Sequence, residues 1–270
     1  MSILADYTAA GMAIVRRDAL LFVSYRFRVL SQLATVFFSI SLFYYLSRMV
    51  HVSSFSSSNE YFGYAVVGIA ILDVIGASLA GLPPALRQEL VAGTFERLVL
   101  SPAGAVASTV AMLAFPMLVA LVSGTVALTF GIVAFGLPLH WSTVPFAVPV
   151  AVLAAVAFAP FAIVIGGAVL AIKQAGRVSG FIVSGLSLIG GFFFPVALLP
   201  WWIRWMSQVQ PFTPSLNLLR HFLIGTPLVE AEWISVLKLA GFAGVLMPFA
   251  VWFLSVSVRW AQRRGTIIEY

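Results

Sequence analysis

Residues 145–172 read PFAVPVAVLAAVAFAPFAIVIGGAVLAI, an unbroken run of 28 residues without a charged side chain. About 20 consecutive apolar residues in a helix cross the hydrocarbon core of a bilayer. A transmembrane β-strand would instead show roughly 10 residues of alternating polarity. A continuous apolar run must satisfy its own backbone hydrogen bonds, which a helix does within one segment. The run therefore predicts a transmembrane α-helix and an all-α membrane fold.

The rest of the chain repeats this pattern of apolar blocks separated by short charged stretches. Of the 270 residues, 61% are hydrophobic and 9% are charged, whereas an ordinary soluble domain has about 25% charged residues. A water-soluble fold is therefore excluded. Six spans are predicted, at about Val29 to Leu46, Phe62 to Leu82, Met112 to Phe135, Pro145 to Ile172, Val178 to Leu199 and Leu239 to Val258.

No internal repeat or long linker divides the chain, so we predict one transmembrane domain over residues 1–270. Residues 1–28 lack the apolar core and cleavage site of a removable signal peptide. Their apolar side chains recur at helical steps from Ile3 to Tyr25, which indicates an amphipathic helix on the membrane surface. Four arginines of this segment are expected to meet anionic headgroups or to make a specific contact in gating: Arg16, Arg17, Arg26 and Arg28.

Basic residues are distributed unevenly between the two sides of the predicted spans. One side has 11, namely Arg16, Arg17, Arg26, Arg28, Arg87, Arg97, Lys173, Arg177, Arg259, Arg263 and Arg264. The other side has 4, namely Arg48, Arg204, Arg220 and Lys238. The positive-inside rule places the richer side in the cytoplasm. We therefore expect a bacterial-type plasma membrane protein with both termini in the cytoplasm and an even number of spans.

Several kinds of site are excluded or not expected. The chain has no cysteine, so disulfides and thiolate metal sites are ruled out. The histidines His51, His140 and His221 are predicted in separate external loops without metal-binding spacing, so no metal is expected. Because the basic residues flank apolar blocks, their expected partners are membrane lipids rather than nucleic acid. No paired carboxylates or nucleophile motif lies within a span, so catalysis is not expected.

The most charged internal connection follows the second span, at residues 83–104, and reads PPALRQELVAGTFERLVLSPAG. Its pattern predicts a short amphipathic helix at the cytoplasmic surface, which Pro84 can begin and Gly93 can relax. By pattern alone, an ordinary connector and a docking element are equally compatible with this segment.

Two motifs carry a resemblance to the type-2 ABC exporter permeases. In that family an acidic helix precedes Gly-Thr-Leu-Glu and a Ser-Pro follows, and this chain resembles the pattern at Glu89, Gly93, Thr94, Glu96, Leu98, Ser101 and Pro102. Phe95 stands where leucine is common. The stretches GGFFFPVALLPWWIR, residues 190–204, and PFTPSLNLLRHFLIG, residues 211–225, resemble the closing signature of the family. The resemblance covers nearly the whole chain.

The resemblance implies a permease that pairs with a second copy or a related permease and binds two separate ATPase subunits. The chain has no GxxxxGK[ST] loop to hold phosphates and magnesium, so ATP and Mg²⁺ are expected on the partner ATPase, and no cofactor is expected on this chain. In such permeases the connection after span two is the coupling helix, which seats in a groove of the ATPase. Glu89, Glu96 and Arg97 would supply ionic contacts, and Gly93 would allow close approach. The implied coupling residues are Arg87, Glu89, Gly93, Thr94, Glu96, Arg97, Ser101 and Pro102.

The segment between spans five and six, residues 200–236, is too polar to span and too apolar to be a plain loop. We predict one or two short helices that dip into the outer leaflet. The resemblance implies an external gate here, with the candidates Phe192, Phe193, Phe194, Pro195, Trp201, Trp202 and Arg220. Tryptophans are also typical of membrane-interface anchors, and Arg220 is predicted to pair with Glu230 or Glu232.

Asp73 lies near the middle of span two, where an ionised carboxylate costs about 2.5–3.5 kcal/mol on insertion scales. Two interpretations are open for this residue. In one, Asp73 lies on the translocation path or at a permease–permease interface. In the other, it is protonated or hydrogen-bonded to a neighbouring helix.

Three non-catalytic functions are compatible with a multi-span membrane protein. An ABC exporter permease would move an amphipathic, lipid-like, drug-like or lipid-linked glycan cargo outward. An ion-coupled secondary transporter would normally show inverted repeats and discontinuous helices, and the sequence shows neither. A structural membrane protein would have no ATPase partner. The motifs favour the permease.

Overall fold

The computed structural model describes residues 3–49, 55, 57–172, 184–185, 188–192 and 195–264. Over this part of the chain the regular elements are helical and there is no β-strand, as the continuous apolar runs predict. The helices are α1 (Ile3–Ser24), α2 (Arg26–Met49), α3 (Ser58–Ala80), α4 (Leu82–Val91), α5 (Phe95–Val99), α6 (Gly104–Ala111), α7 (Ala114–Phe135), α8 (Val144–Ile172), α9 (Trp201–Gln208), α10 (Phe212–Ile224) and α11 (Glu232–Arg264).

Within the described residues, five helical stretches are long and apolar enough to cross a membrane, namely Val29–Met49, Ser58–Gly76, Gly104–Phe135, Val144–Leu170 and Glu232–Arg263. These five stretches overlap the first, second, third, fourth and sixth predicted spans. The predicted fifth span lies largely outside the described residues. Five residues named above also lie outside the described part of the chain: His51, Lys173, Arg177, Phe193 and Phe194. The chain is a multi-pass, all-α membrane protein.

The central helix of the bundle is α3, which packs against α2, α7, α8 and α10. In its span 72% of the residues are buried, whereas the share in α2 is 11%, so α2 lies at the edge. Small residues let the neighbours of α3 approach closely, as is usual between membrane helices. A Cβ atom on Gly124 of α7, for example, would lie 3.3 Å from the carbonyl oxygen of Ala70 in α3.

The second half of the core is formed by α8 and α11, which run along one another. Gly167 of α8 makes room for α11, since a Cβ there would lie 3.0 Å from Cδ1 of Phe253. Pro149 and Pro160 lie inside α8. Membrane helices tolerate such prolines because neighbouring helices and local adjustments satisfy the freed carbonyl groups.

Short helices gather at the two ends of the bundle. We call one end the α4 end, where α1, α4, α5 and α6 lie together. The other is the α10 end, where α9 and α10 lie beside the loop of residues 136–143. Because α3 runs from the α10 end to the α4 end, the two sets of short helices lie on opposite sides of the spans.

The predicted surface helix at residues 1–28 corresponds to α1, and α2 follows it after Tyr25. Ile14 is buried in an apolar cluster that includes Leu86 and Phe95. Leu21 and Tyr25, from the same predicted apolar stripe, are exposed. Part of the stripe therefore packs on the α4 end instead of facing lipid.

Candidate functional site

The α4 helix follows α3 after a single residue and turns one apolar face to the bundle. Leu82, Leu86 and Leu90 are buried, because residues four apart share one face of a helix. Gly166 of α8 accommodates this face, since a Cβ there would lie 2.9 Å from Cδ2 of Leu82. The opposite face of α4, which includes Arg87, is exposed.

A backbone turn that depends on Gly93 ends α4. Gly93 has a φ of +68°, a left-handed conformation that glycine adopts without steric cost. The N–H of Gly93 donates to the Leu90 carbonyl at 3.1 Å, and the N–H of Thr94 donates to the Glu89 carbonyl at 3.0 Å. These are the two bonds of a Schellman C-cap. No atom lies within 4 Å of a Cβ built on Gly93, so within the chain it is backbone conformation that requires glycine.

The Glu89 carboxylate ties this turn to α1. Its Oε1 lies 2.7 Å from Nη1 of Arg17, and its Oε2 accepts a hydrogen bond from Oγ1 of Thr94. Arg17 also pairs with Asp18, with Nη2 and Oδ1 2.9 Å apart. Burial alone would lower the pKa of Arg17, but the hydrogen bonds and charges of Asp18 and Glu89 outweigh it and raise that pKa. We call this contact the Arg17–Glu89 bridge.

Phe95 anchors α5, because its side chain is fully buried in the apolar cluster that also contains Leu86 of α4. On the other side of α5, Glu96 and Arg97 are exposed, and Leu100 just after the helix is 85% exposed. The hydroxyl of Ser101 donates to the Leu98 carbonyl at 2.8 Å, so Ser101 stabilises the turn that ends α5.

The exposed side chains of this region form one candidate surface. We define the α4–α5 face as Arg87, Val91, Glu96, Arg97 and Leu100. It combines three charged side chains with two large apolar ones, and Pro102 is exposed beside it. Exposed apolar groups rimmed by polar residues are typical of protein interaction sites.

These positions correct two expectations from the sequence. Residues 83–104 form α4 and α5 with a turn between them instead of one amphipathic helix, because the left-handed Gly93 redirects the chain. Glu89 was expected to face a partner protein, but its side chain is 14% exposed and is engaged with Arg17 and Thr94. Arg17, for which lipid headgroups or a specific contact were both expected, makes a specific contact in the same bridge.

At the α10 end, Arg220 is buried, with 2% exposure. Its Nε and Nη2 donate to the Tyr64 carbonyl at 3.2 and 3.1 Å, its Nη1 to the Gly191 carbonyl at 2.9 Å, and its Nη2 to the Phe192 carbonyl at 2.7 Å. Its Cζ lies 3.3 Å from the centre of the Tyr64 ring, a cation–π contact. A Cβ on Gly68 would lie 2.5 Å from the Phe192 carbonyl oxygen. We call Arg220 and its three carbonyl partners the Arg220 clamp.

The predicted pairing of Arg220 with Glu230 or Glu232 is wrong. Glu230 pairs with Lys238, and Oε1 of Glu232 lies 3.2 Å from Nε2 of His221. Consecutive residues of a helix point about 100° apart, so His221 reaches α11 while Arg220 faces the core. His221 therefore lies in α10 and not in an external loop.

The candidate gate residues separate into an inner and an outer group. Phe192 is fully buried and belongs to the Arg220 clamp, and Pro195 is partly exposed. Trp201 and Trp202 of α9 are 84% and 58% exposed, as is usual for membrane-interface anchors. Trp201 and Trp202 are therefore on the surface, whereas Phe192 is in the core, and these candidate gate residues do not form one group.

The loop between α7 and α8 holds the C-terminal end of α10, just beyond Arg220. The N–H of His140 donates to the Leu223 carbonyl at 2.9 Å, and the hydroxyl of Thr143 donates to the Phe222 carbonyl at 2.5 Å. Gly225 ends α10 with a φ of +71°, and the His140 ring occupies the place of a Cβ there. Together with the Arg220 clamp, these bonds fix the C-terminal half of α10.

Asp73 of α3 hydrogen-bonds to Ser123 of α7. Its Oδ2 is buried and has no hydrogen-bond partner, which is a costly arrangement for a carboxyl oxygen. The contact with a neighbouring helix agrees with the second interpretation of this residue. A place on the translocation path or at a permease interface stays a prediction.

Comparison with protein-family models matches residues 10–224 to the ABC-2 type transporter model. The chain belongs to the ABC-2 type transporter family. The match runs from α1 to the end of α10 and includes the α4–α5 face and the Arg220 clamp. It confirms the resemblance carried by the two motifs. Comparison with curated proteins finds no match.

As an ABC-2 permease, the protein is a membrane component of an ABC transporter. Sequence reasoning misses three residues that shape its sites. Arg17 gives no sign that its partner is Glu89, more than 70 residues away. Tyr64 and Ser123 carry no distinguishing pattern. An arginine in a largely apolar segment does indicate a buried cation at Arg220, but backbone carbonyl partners leave no trace in the sequence.

Proposed function

We propose that this ABC-2 permease is the membrane subunit of an ATP-driven exporter. Separate ATPase subunits seat on the α4–α5 face, and a second copy or a related permease completes the transport path. The observation that carries the proposal is the division of residues 83–104 into a buried side locked to the bundle and an exposed side with charged and large apolar groups. The exposed side places Leu100, which is 85% exposed, beside charged groups, as is typical of protein interaction sites.

Each part of the α4–α5 face has a role in docking. Val91 and Leu100 are 61% and 85% exposed and supply apolar area that docking would remove from water, which favours association. Arg87, Glu96 and Arg97 supply charges, which determine orientation and the rate of encounter. Because both signs are present, the complementary ATPase groove is expected to carry both signs as well.

A force applied at this face has a defined route into the spans. The Arg17–Glu89 bridge makes α1 move with α4. The buried leucines of α4 pack against α8 at Gly166, and α4 is nearly continuous with α3. Displacement of α4 by an ATPase is therefore passed to the surface helix and to two spans.

The proposal includes six spans, the fifth of them between α8 and α9, with both termini in the cytoplasm of a plasma membrane. The positive-inside count and the match over residues 10–224 support this arrangement. The low share of charged residues supports an amphipathic cargo that is lipid-like, drug-like or a lipid-linked glycan. ATP and Mg²⁺ are bound by the ATPase, and this chain is proposed to be a non-catalytic subunit.

The test is co-purification of an ATPase with the tagged chain in mild detergent, followed by charge reversal on the α4–α5 face. Arg97→Glu is expected to reduce recovery of the ATPase and its stimulated turnover. Arg263→Glu is the matched control, because Arg263 is an exposed arginine of α11 on the same side of the spans but not on the face. The control is expected to behave like the unmodified chain.

The outcomes separate the candidate functions. An ATPase whose recovery depends on Arg97 supports the exporter. Equal effects of both reversals would indicate a general loss of charge and would count against docking on this face. The absence of any ATPase, with the partner co-expressed, would favour an ion-coupled transporter or a structural membrane protein.

A further inference from the structure

A cavity of about 230 Å³ lies between α7 and α8 and is bounded on a third side by α3. It is in the half of the bundle nearest the α10 end. Its floor is the face of α3 from Val67 to Val74, and Leu223 of α10 closes the end nearest α10. At its opposite end, α3, α7 and α8 come together at Ala120 and Ala155, which are both buried. The cavity is therefore a groove with one closed end near the middle of the spans.

Small residues create the space in this groove. Ala147 and Ala151 of α8 and Gly124 of α7 line it, and none of these side chains extends beyond Cβ. Among the described lining residues, Thr125 alone has a polar side chain, and its hydroxyl donates to the Leu121 carbonyl at 2.8 Å. A molecule in the groove thus meets neither a charge nor a free hydrogen-bonding side chain.

The open side of the groove is bordered by exposed apolar residues within the candidate spans. Val148 and Val152, on its rim, are 63% and 45% exposed, and the lining parts of α3, α7 and α8 fall within their candidate spans. The lining part of α8 runs over residues 144–154, about 16 Å at 1.5 Å per residue. This is close to half of a hydrocarbon core of about 30 Å, so the groove has the depth of one leaflet.

We propose that this groove holds one acyl chain of a bilayer lipid from the leaflet on the α10 side. Its length, its closed inner end and its apolar lining fit an alkyl chain that enters from the headgroup level and ends at the midplane. The site is distinct from the α4–α5 face and does not depend on an ATPase. A lipid held here would separate α7 from α8 and would move with α3.

The test uses the purified permease in vesicles of phosphatidylethanolamine and phosphatidylglycerol that contain a phospholipid with a diazirine on one acyl chain. After illumination, mass spectrometry of peptides locates the cross-links. We expect several-fold more labelling on the lining residues of α7 and α8 than around Ala134, an exposed residue of α7 outside the groove. Ala151→Phe, which fills the groove, is expected to abolish the excess. Ala134→Phe is the matched control and is expected to leave it unchanged.

A second variant guards against misfolding of the first. Val148→Phe narrows the mouth from a position that is 63% exposed, and it is expected to reduce the labelling in the same way. Equal labelling of the groove and of Ala134 would show annular lipid only and would overturn the proposal. Absence of lipid labelling, with cross-links between two permease copies at Val148, would overturn it by assigning the groove to the partner. Loss of ATPase binding in the co-purification experiment would count against the proposed function and would leave the lipid site unaffected.

Discussion

The Arg220 guanidinium is held by three backbone carbonyl groups and by the Tyr64 ring. Arg220 satisfies acceptors on α3 and on the segment of Gly191 and Phe192 at the same time. Within the described residues no carboxylate pairs with it. Its contribution therefore depends on donor geometry as well as on charge, and lysine would replace only part of it.

We predict that Arg220→Met lowers the free energy of unfolding by about 3 kcal/mol, because buried carbonyls left without donors cost about 1–3 kcal/mol each and the relief of a desolvated charge offsets part of this. Arg220→Lys is expected to lie between methionine and arginine. The measurement is denaturant unfolding in detergent micelles, with the exposed Arg259→Met as control. A methionine variant as stable as the unmodified chain would contradict the clamp.

A second prediction at this scale concerns Gly93, whose φ is +68°. Gly93→Ala is expected to destabilise the protein by about 1–2 kcal/mol, the cost of a left-handed conformation for a residue with a Cβ. Gly244→Ala makes the same substitution inside α11, where the Cβ meets no atom within 4 Å. It is expected to stabilise by about 0.5–1 kcal/mol. Thermal unfolding of both variants measures the difference, and a shift of the same sign in both would argue against a strained position at Gly93.

At the scale of elements, α1 and α4 act together because one ion pair joins them. Arg17 is 40% exposed and Glu89 is 14% exposed, so water screens the pair in part, and its coupling energy is expected to be about 1 kcal/mol or less. The functional effect is predicted to exceed this stabilisation, since the bridge links a surface helix to the proposed docking segment.

We therefore predict that Arg17→Glu and Glu89→Arg each reduce ATPase stimulation and that the double exchange restores much of it. Reconstituted permease with its ATPase provides the assay, and a double-mutant cycle separates the pair from the single effects. Two single variants with additive losses and no recovery in the double exchange would contradict a role of the Arg17–Glu89 bridge in ATPase stimulation.

Some elements of the fold could be predicted from sequence patterns and others could not. Long apolar runs predict α2, α3, α7, α8 and α11 well, because burial in a bilayer requires each run to form its own backbone bonds. The turn at Gly93 is local, since its hydrogen bonds return to Leu90 and Glu89, but a glycine alone does not distinguish a turn from a flexible point in one helix. The positions of Glu89 and Arg220 could not be predicted, because they depend on partners from distant parts of the chain. Glu89 has the polarity of a surface residue, yet it is held by Arg17.

At the scale of the whole molecule, the α4–α5 face and the Arg220 clamp lie at opposite ends of the central helix α3. Family membership could be predicted from two motifs because their order along the chain was specific, and the match over residues 10–224 confirms it. The groove between α7 and α8 gave no signal in the sequence, since alanine and glycine in a span indicate close packing as readily as a cavity.

The orientation of the whole molecule is a final prediction, and the absence of cysteine from the chain makes it directly measurable. Val229 at the α10 end is 92% exposed and Leu100 at the α4 end is 85% exposed, so either position tolerates a cysteine. In intact cells, a membrane-impermeant maleimide is expected to label Val229→Cys and to label Leu100→Cys only after permeabilisation. The physical reason is the excess of basic residues on the α4 side, which keeps that side in the cytoplasm. The reverse pattern would place the α4–α5 face outside the cell, where no ATP is available, and would exclude ATPase docking on it.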